Sequence, residues 1–390
     1  MKPTFSILIF FFLVLVSCQR SIQKEISSLP EVNVNTILEE KKIRIQDIAE
    51  EINYIPLETN DSMLIRGVFL SICNEGIAVM YQVDGRIFLY DGKGKIRGSI
   101  CRKGNGPEEY VGMQQAVVDW KRNELFVFDY KSRVKVYDLN GHYKRILSIK
   151  DKMRDREMYS FGEQYLAFFK EVPNTEIGKK AGDFFPYSPV LLLDKESGEI
   201  TALPYTKSSN VNIRLSTGWV NSYALYASGK QLYLSDISSD TIYHLNLQKH
   251  LPIPIITRNP SVKSMDGREL FLCLEGATHQ YYFFLRTNKE IKISQRGDAS
   301  KYMQSWMYDC QTGDVCLPIF LNDDYRSMKL TAHDLIHCYS EDNHLYVKLE
   351  ASDLIEALEN DELSGHLKSI AENLKEDDNP VLMVVKLKDK

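Results

Sequence analysis

Several features are scarce in this sequence, and each scarcity excludes a class of protein. Only 13 of the 390 residues are proline and only 21 are glycine, which excludes collagen-like and low-complexity disordered chains. The 48 Lys and Arg do not exceed the 53 Asp and Glu, so the chain lacks the positive charge typical of nucleic-acid-binding proteins. No apolar run approaches the roughly 20 residues of a membrane-spanning helix. We therefore expect a globular protein with no nucleic-acid partner.

The longest apolar stretch, residues 5–16, lies at the N-terminus and follows Lys2. A short run of this kind is typical of a secretory signal peptide, which we predict over residues 1–17. Ser17 and the apolar residues before it lead directly into Cys18, an order that resembles the lipobox of bacterial lipoproteins. We predict lipidation at Cys18, which would anchor the protein to a membrane. The alternative is an ordinary signal peptide followed by an incidental cysteine.

The residues after Cys18 bear on where the protein resides. Gln19 rather than Asp occupies the second mature position, and no acidic cluster follows it. By resemblance to known lipoprotein sorting, this implies an exported, outer-membrane lipoprotein that faces the periplasm. Residues 18–43 lack a strong period, so we interpret them as a lipidated tether and assign the folded domain to residues 44–390.

Six further cysteines are too few to make a disulfide scaffold in a chain of this length. Cys310 and Cys316 flank a turn and are the best candidate pair. As diagonal neighbours across a hairpin, their Cα atoms would lie about 7–8 Å apart, which exceeds the roughly 6.8 Å found in disulfides. We therefore expect buried free thiols.

One hairpin strand recurs six times along the chain, and this repeat determines the predicted fold. A second apolar strand precedes each copy, and four copies are followed by a turn that contains glycine, which tolerates a positive φ. The 22 Tyr and 17 Phe also favour strands. The copies are residues 87–91, 134–138, 190–194, 241–245, 305–309 and 383–387.

The second copy shows the complete unit, with four short strands between residues 115 and 149. A single four-stranded meander cannot bury both of its faces, so six such units are predicted to stack radially. The last copy lacks an outer strand, whereas residues 52–57 form a strand without a partner near the N-terminus. Pairing the two would close the ring and remove a free sheet edge. The sequence therefore predicts an all-β fold, a six-bladed β-propeller in which an N-terminal strand closes the last blade.

The last unit also contains a segment with helical periodicity. Apolar residues recur at helical spacing over residues 353–374, and Asp353 with Glu356 resembles a capping box. We predict a helical insertion in the last blade. It either packs against the ring or presents a docking helix to a partner.

Four segments of the chain together resemble a known family. They are the lipobox at Cys18 and residues 54–59, 103–110 and 234–243. Together these segments resemble those of bacterial six-bladed β-propeller lipoproteins. That family is distantly similar to NHL-repeat propellers. The family usually has Gly-x-Gly-Pro-Gly-Glu-Tyr in the second of these segments, and here Glu108 replaces the third glycine. The resemblance implies a fold and a cellular address but no established activity.

The loop after the first unit is the main candidate for ligand binding. It would connect the outer strand of one blade to the inner strand of the next, near the mouth of the central channel. Its glycines let backbone amides approach a ligand, and its basic residues could contact an anionic group. A rigid crossover that locks adjacent blades is the alternative interpretation. The candidate residues are Arg102, Lys103, Glu108, Glu109 and Tyr110.

Other patterns are better explained by structure than by chemistry. His333 and His337, with His344 as a third ligand, superficially resemble a zincin, but the intervening acid is Asp, so packing or surface histidines are expected on an inner strand. The Asp residues that recur at strand ends are expected to accept hydrogen bonds from turn amides. The aromatic run of residues 279–284 could stack a sugar or base, but a half-buried strand explains it equally well.

Two functions from different classes remain. The first is a membrane-anchored, non-catalytic binding or scaffold module for a glycan, peptide or partner protein. This hypothesis predicts no catalytic residues, metal or cofactor, and a monomer. The second is a hydrolase or lyase with its active site at the channel mouth, which rests on fold analogy alone. The sequence favours the first, because the repeats carry no readable catalytic set and no Gly-x-Ser-x-Gly elbow occurs.

Overall fold

The computed structural model describes residues 29–130, 133–149, 158–169, 190–203, 225–236, 239–262, 264, 270–288 and 303–389. The predicted signal peptide and Cys18 lie outside these ranges, so their assignment stays a prediction. In the described residues, no helix combines the length and apolar character needed to cross a bilayer.

The described residues are mainly strands, arranged in six sheets. The N-terminal part contains β1 (Glu31–Asn33), β2 (Glu40–Arg44), the short helix α1 (Ile45–Ile48) and β3 (Ala49–Pro56). Blade 1 contains β4 (Val68–Cys73), β5 (Gly76–Tyr81), β6 (Arg86–Tyr90) and β7 (Ile96–Cys101). Blade 2 contains β8 (Met113–Asp119), β9 (Glu124–Asp129), β10 (Arg133–Asp138) and β11 (Tyr143–Ser148). Blade 3 contains β12 (Met158–Phe161), β13 (Tyr165–Phe169), β14 (Val190–Asp194) and β15 (Ile200–Ala202).

The remaining blades complete the ring. Blade 4 contains β16 (Leu225–Ser228), β17 (Gln231–Leu234), β18 (Thr241–Asn246) and β19 (Leu251–Asn259). Blade 5 contains β20 (Leu270–Ala277), β21 (Tyr281–Asn288), β22 (Met303–Asp309) and β23 (Val315–Asn322), with β24 (Tyr325–Leu330) paired to β23. A 3-10 helix (Ala332–Asp334) and β25 (Tyr339–Ser340) precede blade 6, which joins β26 (His344–Leu349), β27 (Val381–Leu387) and β3.

This arrangement confirms the predicted six-bladed β-propeller and its closure. The strand β27 pairs antiparallel with β3, from Val381 opposite Pro56 to Leu387 opposite Ala49. The N-terminal strand therefore forms the outer edge of blade 6, where Pro56 removes no ladder hydrogen bond from the sheet interior. The first strands of blades 1 to 5 contact one another in sequence order and surround the axis of the ring.

Hydrophobic clusters join each pair of neighbouring blades. Between blades 2 and 3, for example, the rings of Phe128 and Phe168 meet edge to face at 5.4 Å. Equivalent clusters lie at each of the other five junctions, including the one between blades 6 and 1 around Tyr90 and Leu382. Because each sheet buries both faces against its neighbours, a single blade would not be stable alone.

Two N-terminal strands extend the outer edges of blades 4 and 5. The strand β1 pairs in parallel with β19, and β2 pairs in parallel with β23. These strands lie within residues 18–43, interpreted above as a tether, or just beyond them, so strand structure begins before residue 44. They cover two outer edges that would otherwise present unpaired backbone groups.

The recurring turns have the predicted chemistry. Gly94, Gly141, Gly198 and Gly313 all have a positive φ, between 72° and 85°. In each turn the Asp that ends the preceding strand accepts hydrogen bonds from two backbone amides; for example, Asp194 accepts from Glu196 at 2.9 Å and from Ser197 at 2.8 Å. These aspartates stabilise turns, as the sequence predicted.

The helical insertion is present but differs in detail from the prediction. It contains two helices, α2 (Ala351–Glu359) and α3 (Gly365–Ala371), rather than one. The first helix begins after Glu350, whose side chain makes no cap hydrogen bond, so the capping box predicted at Asp353 is wrong. Leu354 and Leu367 are buried against blades 5 and 6. The insertion therefore packs against the ring.

The thiols and the aromatic run also follow the prediction. The six cysteines beyond Cys18 are all free, as expected. Three of them are buried, whereas Cys310 and Cys316 are half-buried and Cys101 is exposed, so the expected burial is only partly correct. In β21, Tyr281, Phe283 and Phe284 are buried in the cores between blades. This aromatic run is part of the core.

Candidate functional site

A cavity of about 760 Å³ lies on the axis of the ring. Its lining comes mainly from the first strands of blades 1 to 5 and from residues 333–339, the segment that precedes blade 6. The floor and walls are largely apolar, with side chains such as Met80, Val117 and Leu285. A few polar side chains project among them, which is the usual composition of a ligand-binding pocket.

Residues 339–342 cross one end of this channel, which we call the crossed end. Here β25 pairs in parallel with β4 of blade 1, while the amide of Ser340 donates to the carbonyl oxygen of Gly229 in blade 4 at 3.2 Å. Lys230 Nζ lies 2.7 Å from Glu341 Oε2, and the Lys230 amide donates to Asp342 Oδ1 at 2.8 Å. Because blades 1 and 4 are opposite in the ring, this segment spans the axis.

The other end is where the inner strands begin, and we call it the strand-start end. Three exposed apolar side chains lie there: Val68 at the start of β4, Val83 in the turn after β5, and Tyr130 after β9. Their exposed fractions are 64%, 73% and 57%. Val83 follows the lining residue Gln82, and the Tyr130 amide donates to Gly112 at the entrance to β8. The rim of this end is therefore partly apolar.

Three inner strands carry a β-bulge at the channel wall. The register shifts between Phe69 and Ser71 in β4, between Met113 and Gln115 in β8, and between Leu274 and Gly276 in β20. A bulge inserts one residue without a ladder partner and re-aims its side chain. The three inserted residues all line the cavity, and they are Leu70, Gln114 and Glu275.

The two polar bulge residues place unsatisfied oxygen atoms at the cavity. Gln114 Oε1 and Glu275 Oε2 are both shielded from solvent, and within the described part of the chain neither has a hydrogen-bond partner. Leaving a shielded polar atom unpaired costs about 1–3 kcal/mol, and more when it is charged. Blades 2 and 5 are opposite each other, so these atoms lie on facing walls of the channel.

Two histidines accompany Glu275 on its wall. His333 Nδ1 is 3.7 Å from Glu275 Oε1, and the interaction with this carboxylate raises the pKa of His333. Burial lowers the pKa of His337 to about 4, so its imidazole is neutral at pH 7. A Cβ atom at position 276 would lie 2.0 Å from His337 Nδ1, which means that Gly276 provides the space for this ring.

A second cavity of about 580 Å³ adjoins the channel between blades 5, 6 and 1. The two cavities share lining residues, including Val68, His333 and His337. Acidic side chains from the 3-10 helix and the helical insertion line this second cavity, together with one lysine whose Nζ is 2.5 Å from Glu350 Oε1. These side chains are Asp334, Glu350, Asp353 and Lys348.

The predicted ligand-binding loop lies away from the axis. It crosses from β7 to β8 as expected, but its residues surround a separate cavity of about 210 Å³ against β10 and β11. None of Arg102, Lys103, Glu108, Glu109 and Tyr110 occurs among the described residues that line the channel. The structure therefore separates this loop from the axial cavity.

Most of the loop's polar groups bond to the chain itself. The side chains of Arg102 and Lys103 donate to the backbone oxygens of Gly141 and Val83, at 2.7 and 3.0 Å. The buried Tyr110 hydroxyl donates to Gly85 O at 2.5 Å. Lys135 Nζ of blade 2 donates to Pro107 O at 2.5 Å, and the Tyr137 hydroxyl of the same blade donates to Glu108 O at 2.6 Å. Within the loop, the Glu109 carboxylate accepts from the Gly106 amide at 2.9 Å. This pattern favours the rigid crossover, and ligand binding by these residues stays a prediction.

The three histidines of the zincin-like pattern are not assembled at one place. His333 lies in the 3-10 helix rather than on the inner strand expected there, and only residues 335–336 bridge to β26. His344 begins β26, where Nδ1 is 2.7 Å from the carbonyl oxygen of Asp342 at the crossed end. Across the described ranges, no three His, Cys, Asp or Glu side chains are grouped as metal ligands would be.

Sequence reasoning did not identify Gln114 and Glu275. Their positions depend on bulges, which are set by register between strands and not by the pattern of a single strand. One signal was available, because Gly276 stands inside an apolar strand, and glycine in such a place often marks a bulge.

Comparison with known proteins gives a family and a fold. A family model described as a domain of unknown function, DUF4934, matches residues 29–386. None of the curated proteins matches the chain. Among solved structures, a Bacteroides fragilis protein for which export is inferred has a TM-score of 0.58 at 16% identity, and the match covers 90% of this chain and 99% of that protein. This likeness shows the shared fold.

A second solved structure is more distant. A member of the DUF4221 family from Bacteroides vulgatus has a TM-score of 0.48 at 10% identity, with 88% of this chain and 98% of that protein covered, and no argument rests on it. The predicted distant similarity to NHL-repeat propellers stays an expectation.

Proposed function

The chain belongs to the DUF4934 family, and we propose that it is a non-catalytic binding module that takes a glycan or peptide segment into its axial channel from the strand-start end. The observation that carries this proposal is the pair of bulges that bring Gln114 and Glu275 to the lining of one cavity from opposite blades, each with one shielded oxygen that has no partner in the described residues. Shielded polar atoms are normally paired, so two unsatisfied acceptors in one cavity point to a missing donor.

The size and lining of the channel agree with this role. A volume of about 760 Å³ falls within the range of pockets that enclose small ligands or short chain segments. The crossed end is spanned by residues 339–342, which leaves the strand-start end as the route of approach. Exposed Val68, Val83 and Tyr130 at that end could contact the part of a ligand that remains outside.

We further propose that the protein is an exported lipoprotein, acylated at Cys18 and held at the outer membrane facing the periplasm. The lipobox-like order before Cys18 supports this assignment. Metabolic labelling with a palmitate analogue should mark the wild-type protein and not Cys18→Ser, and the variant should leave the membrane fraction. Equal labelling of both proteins would refute acylation at Cys18.

The binding function can be tested by screening the purified full chain on glycan and peptide arrays. We expect specific binding that Gln114→Leu removes, because leucine offers no acceptor to the ligand. Gln248→Leu is the matched control, since Gln248 is an exposed residue in the β18–β19 turn. Absence of any specific binding, or binding that Gln114→Leu leaves unchanged, would overturn the proposal.

A further inference from the structure

We infer that the ligand of the channel presents a primary ammonium group, which is bound by the Glu275 carboxylate. This inference rests on the binding function proposed above and adds the chemical class of the ligand. It follows from three properties of the channel wall: the type of group that is unsatisfied, the second acceptor beside it, and the sign of the charge around it.

The unsatisfied group on blade 5 is a carboxylate. Glu275 Oε1 faces His333 Nδ1 at 3.7 Å, which is longer than a hydrogen bond, and Oε2 has no partner among the described residues. His333 is the only basic side chain that contacts this carboxylate in the described residues, and it leaves Oε2 unpaired. Shielding a charged oxygen that has no hydrogen bond costs more than shielding a neutral one. A cationic donor satisfies Oε2 better than a hydroxyl does, because hydrogen bonds between charged groups are about twice as strong.

The second acceptor is the imidazole of His337. Its ring interacts electrostatically with Glu275 and has a backbone hydrogen bond with Ala332, whereas Nε2 is shielded and unpaired within the described ranges. Because burial keeps this imidazole neutral, one ring nitrogen accepts a hydrogen bond. An ammonium group has three donors and no acceptor, so it matches a carboxylate oxygen and an imidazole nitrogen together.

This arrangement is built into the backbone. The bulge in β20 aims Glu275 into the channel, and the next residue, Gly276, leaves the space that the His337 ring occupies. A regular strand with a larger residue at position 276 would exclude the ring. Adjacent positions of one strand therefore carry Glu275 and leave room for His337.

The charge around the site has the sign that attracts cations. Four carboxylates line the two adjoining cavities, whereas Lys348 is the only lysine or arginine among their described lining residues, and it already pairs with Glu350. A cavity lined by one sign of charge raises the local concentration of oppositely charged ligands. The carboxylates are Glu275, Asp334, Glu350 and Asp353.

The test uses matched pairs of ligands that differ in charge, measured by isothermal titration calorimetry with the full chain. One pair is Nα-acetyl-lysine amide and its Nε-acetylated derivative, and the other is glucosamine and N-acetylglucosamine. We expect the amine of at least one pair to bind at least about tenfold more tightly than its acetylated partner. The pair that shows this preference identifies a lysine side chain or an amino sugar as the source.

Variants connect the preference to the site. Glu275→Gln should abolish the preference for the amine, whereas Glu199→Gln should retain it, because Glu199 lies on an exposed turn of blade 3 outside the channel lining. A preference that survives Glu275→Gln, equal or tighter binding of the acetylated partners, or no binding of either amine would overturn the inference. If uncharged array ligands still bind and depend on Gln114, the binding function stands while the ammonium inference fails.

Discussion

Two charged side chains in different regions of the channel, Lys195 at the crossed end and Glu275 on the wall, differ in whether their polar atoms have hydrogen-bond partners. At the crossed end, Lys195 of blade 3 is fully buried, and its Nζ reaches Asp119 Oδ2 at 2.7 Å, Gly162 O at 2.9 Å and Ser160 Oγ at 3.1 Å. Its three donors therefore have three acceptors within the chain. On the wall of the channel, Glu275 Oε2 has no such partner in the described residues.

Because of this difference, the two side chains are expected to contribute unequally to the stability of the fold. The interaction of Lys195 with Asp119 joins the end of β8 in blade 2 to the end of β14 in blade 3. Burial lowers the pKa of Lys195, while Asp119 opposes that shift. A buried charge that is fully paired stabilises a fold only as long as both partners remain. An unpaired, shielded carboxylate oxygen such as Glu275 Oε2 costs free energy, and the binding function proposed above would account for its presence.

The largest effect on stability is expected from Lys195→Met. Removing the ammonium leaves Asp119 beside an apolar side chain, and breaking a buried pair costs about 3–5 kcal/mol. The measurement is urea-induced unfolding followed by tryptophan fluorescence. Lys121→Met is the control, because the pair of Lys121 with Glu163 is exposed and should contribute nothing measurable. Equal losses in the two variants would refute the comparison.

A smaller effect is expected from Glu124→Gln in blade 2. Burial alone would raise the pKa of Glu124, but hydrogen bonds from Arg145, Lys144 and Arg122 lower it to about 2. Loss of these charge-assisted bonds should reduce stability by about 2 kcal/mol at pH 7.

The pH dependence of this effect has a definite sign. The folded-state pKa of Glu124 lies below the ordinary value of 4.5, so its stabilisation is complete above that pH and is lost as the pH falls toward 2. The unfolding free energies of wild type and Glu124→Gln should therefore converge in acid. A difference that stays constant from pH 7 to pH 2 would contradict the role of the carboxylate.

The smallest effect on stability is expected from Glu275→Gln. Glu275 Oε2 has no partner to lose in the described chain, and the contact of Oε1 with the exposed His333 is longer than a hydrogen bond. The neutral amide is also easier to shield than the carboxylate, so the free energy of unfolding should change by less than about 1 kcal/mol. Chemical denaturation of this variant beside Lys195→Met gives the contrast directly. A loss as large as that of Lys195→Met would show that Glu275 has a partner within the fold.

Much of the architecture could be predicted because it depends on patterns of residues that lie close together in the sequence. The hairpin copies, their glycine turns and the aspartates that cap those turns are short-range features, and each was located correctly from the sequence. The pairing of β3 with β27 was also predicted, because one strand without a partner and one blade without an edge imply each other.

The candidate site could not be predicted in the same way. The loop after β7 is conspicuous in sequence because it is rich in glycine and charge, yet its polar groups are used in hydrogen bonds that hold blades 1 and 2 together. Gln114 and Glu275 are inconspicuous in sequence and become prominent only when a bulge turns them toward the axis. The residues that are conspicuous in sequence and the residues that line the axial channel are therefore different here.

By itself, the sequence determined the number of blades, the closing strand and the turns, because each depends on residues close together in the chain or on a repeat that can be counted. Only the tertiary structure decided which side chains meet at the axis. Residues 114 and 275 belong to blades 2 and 5, and residue 337 belongs to the segment before blade 6. They line one cavity because of strand register and ring closure, which no single segment encodes.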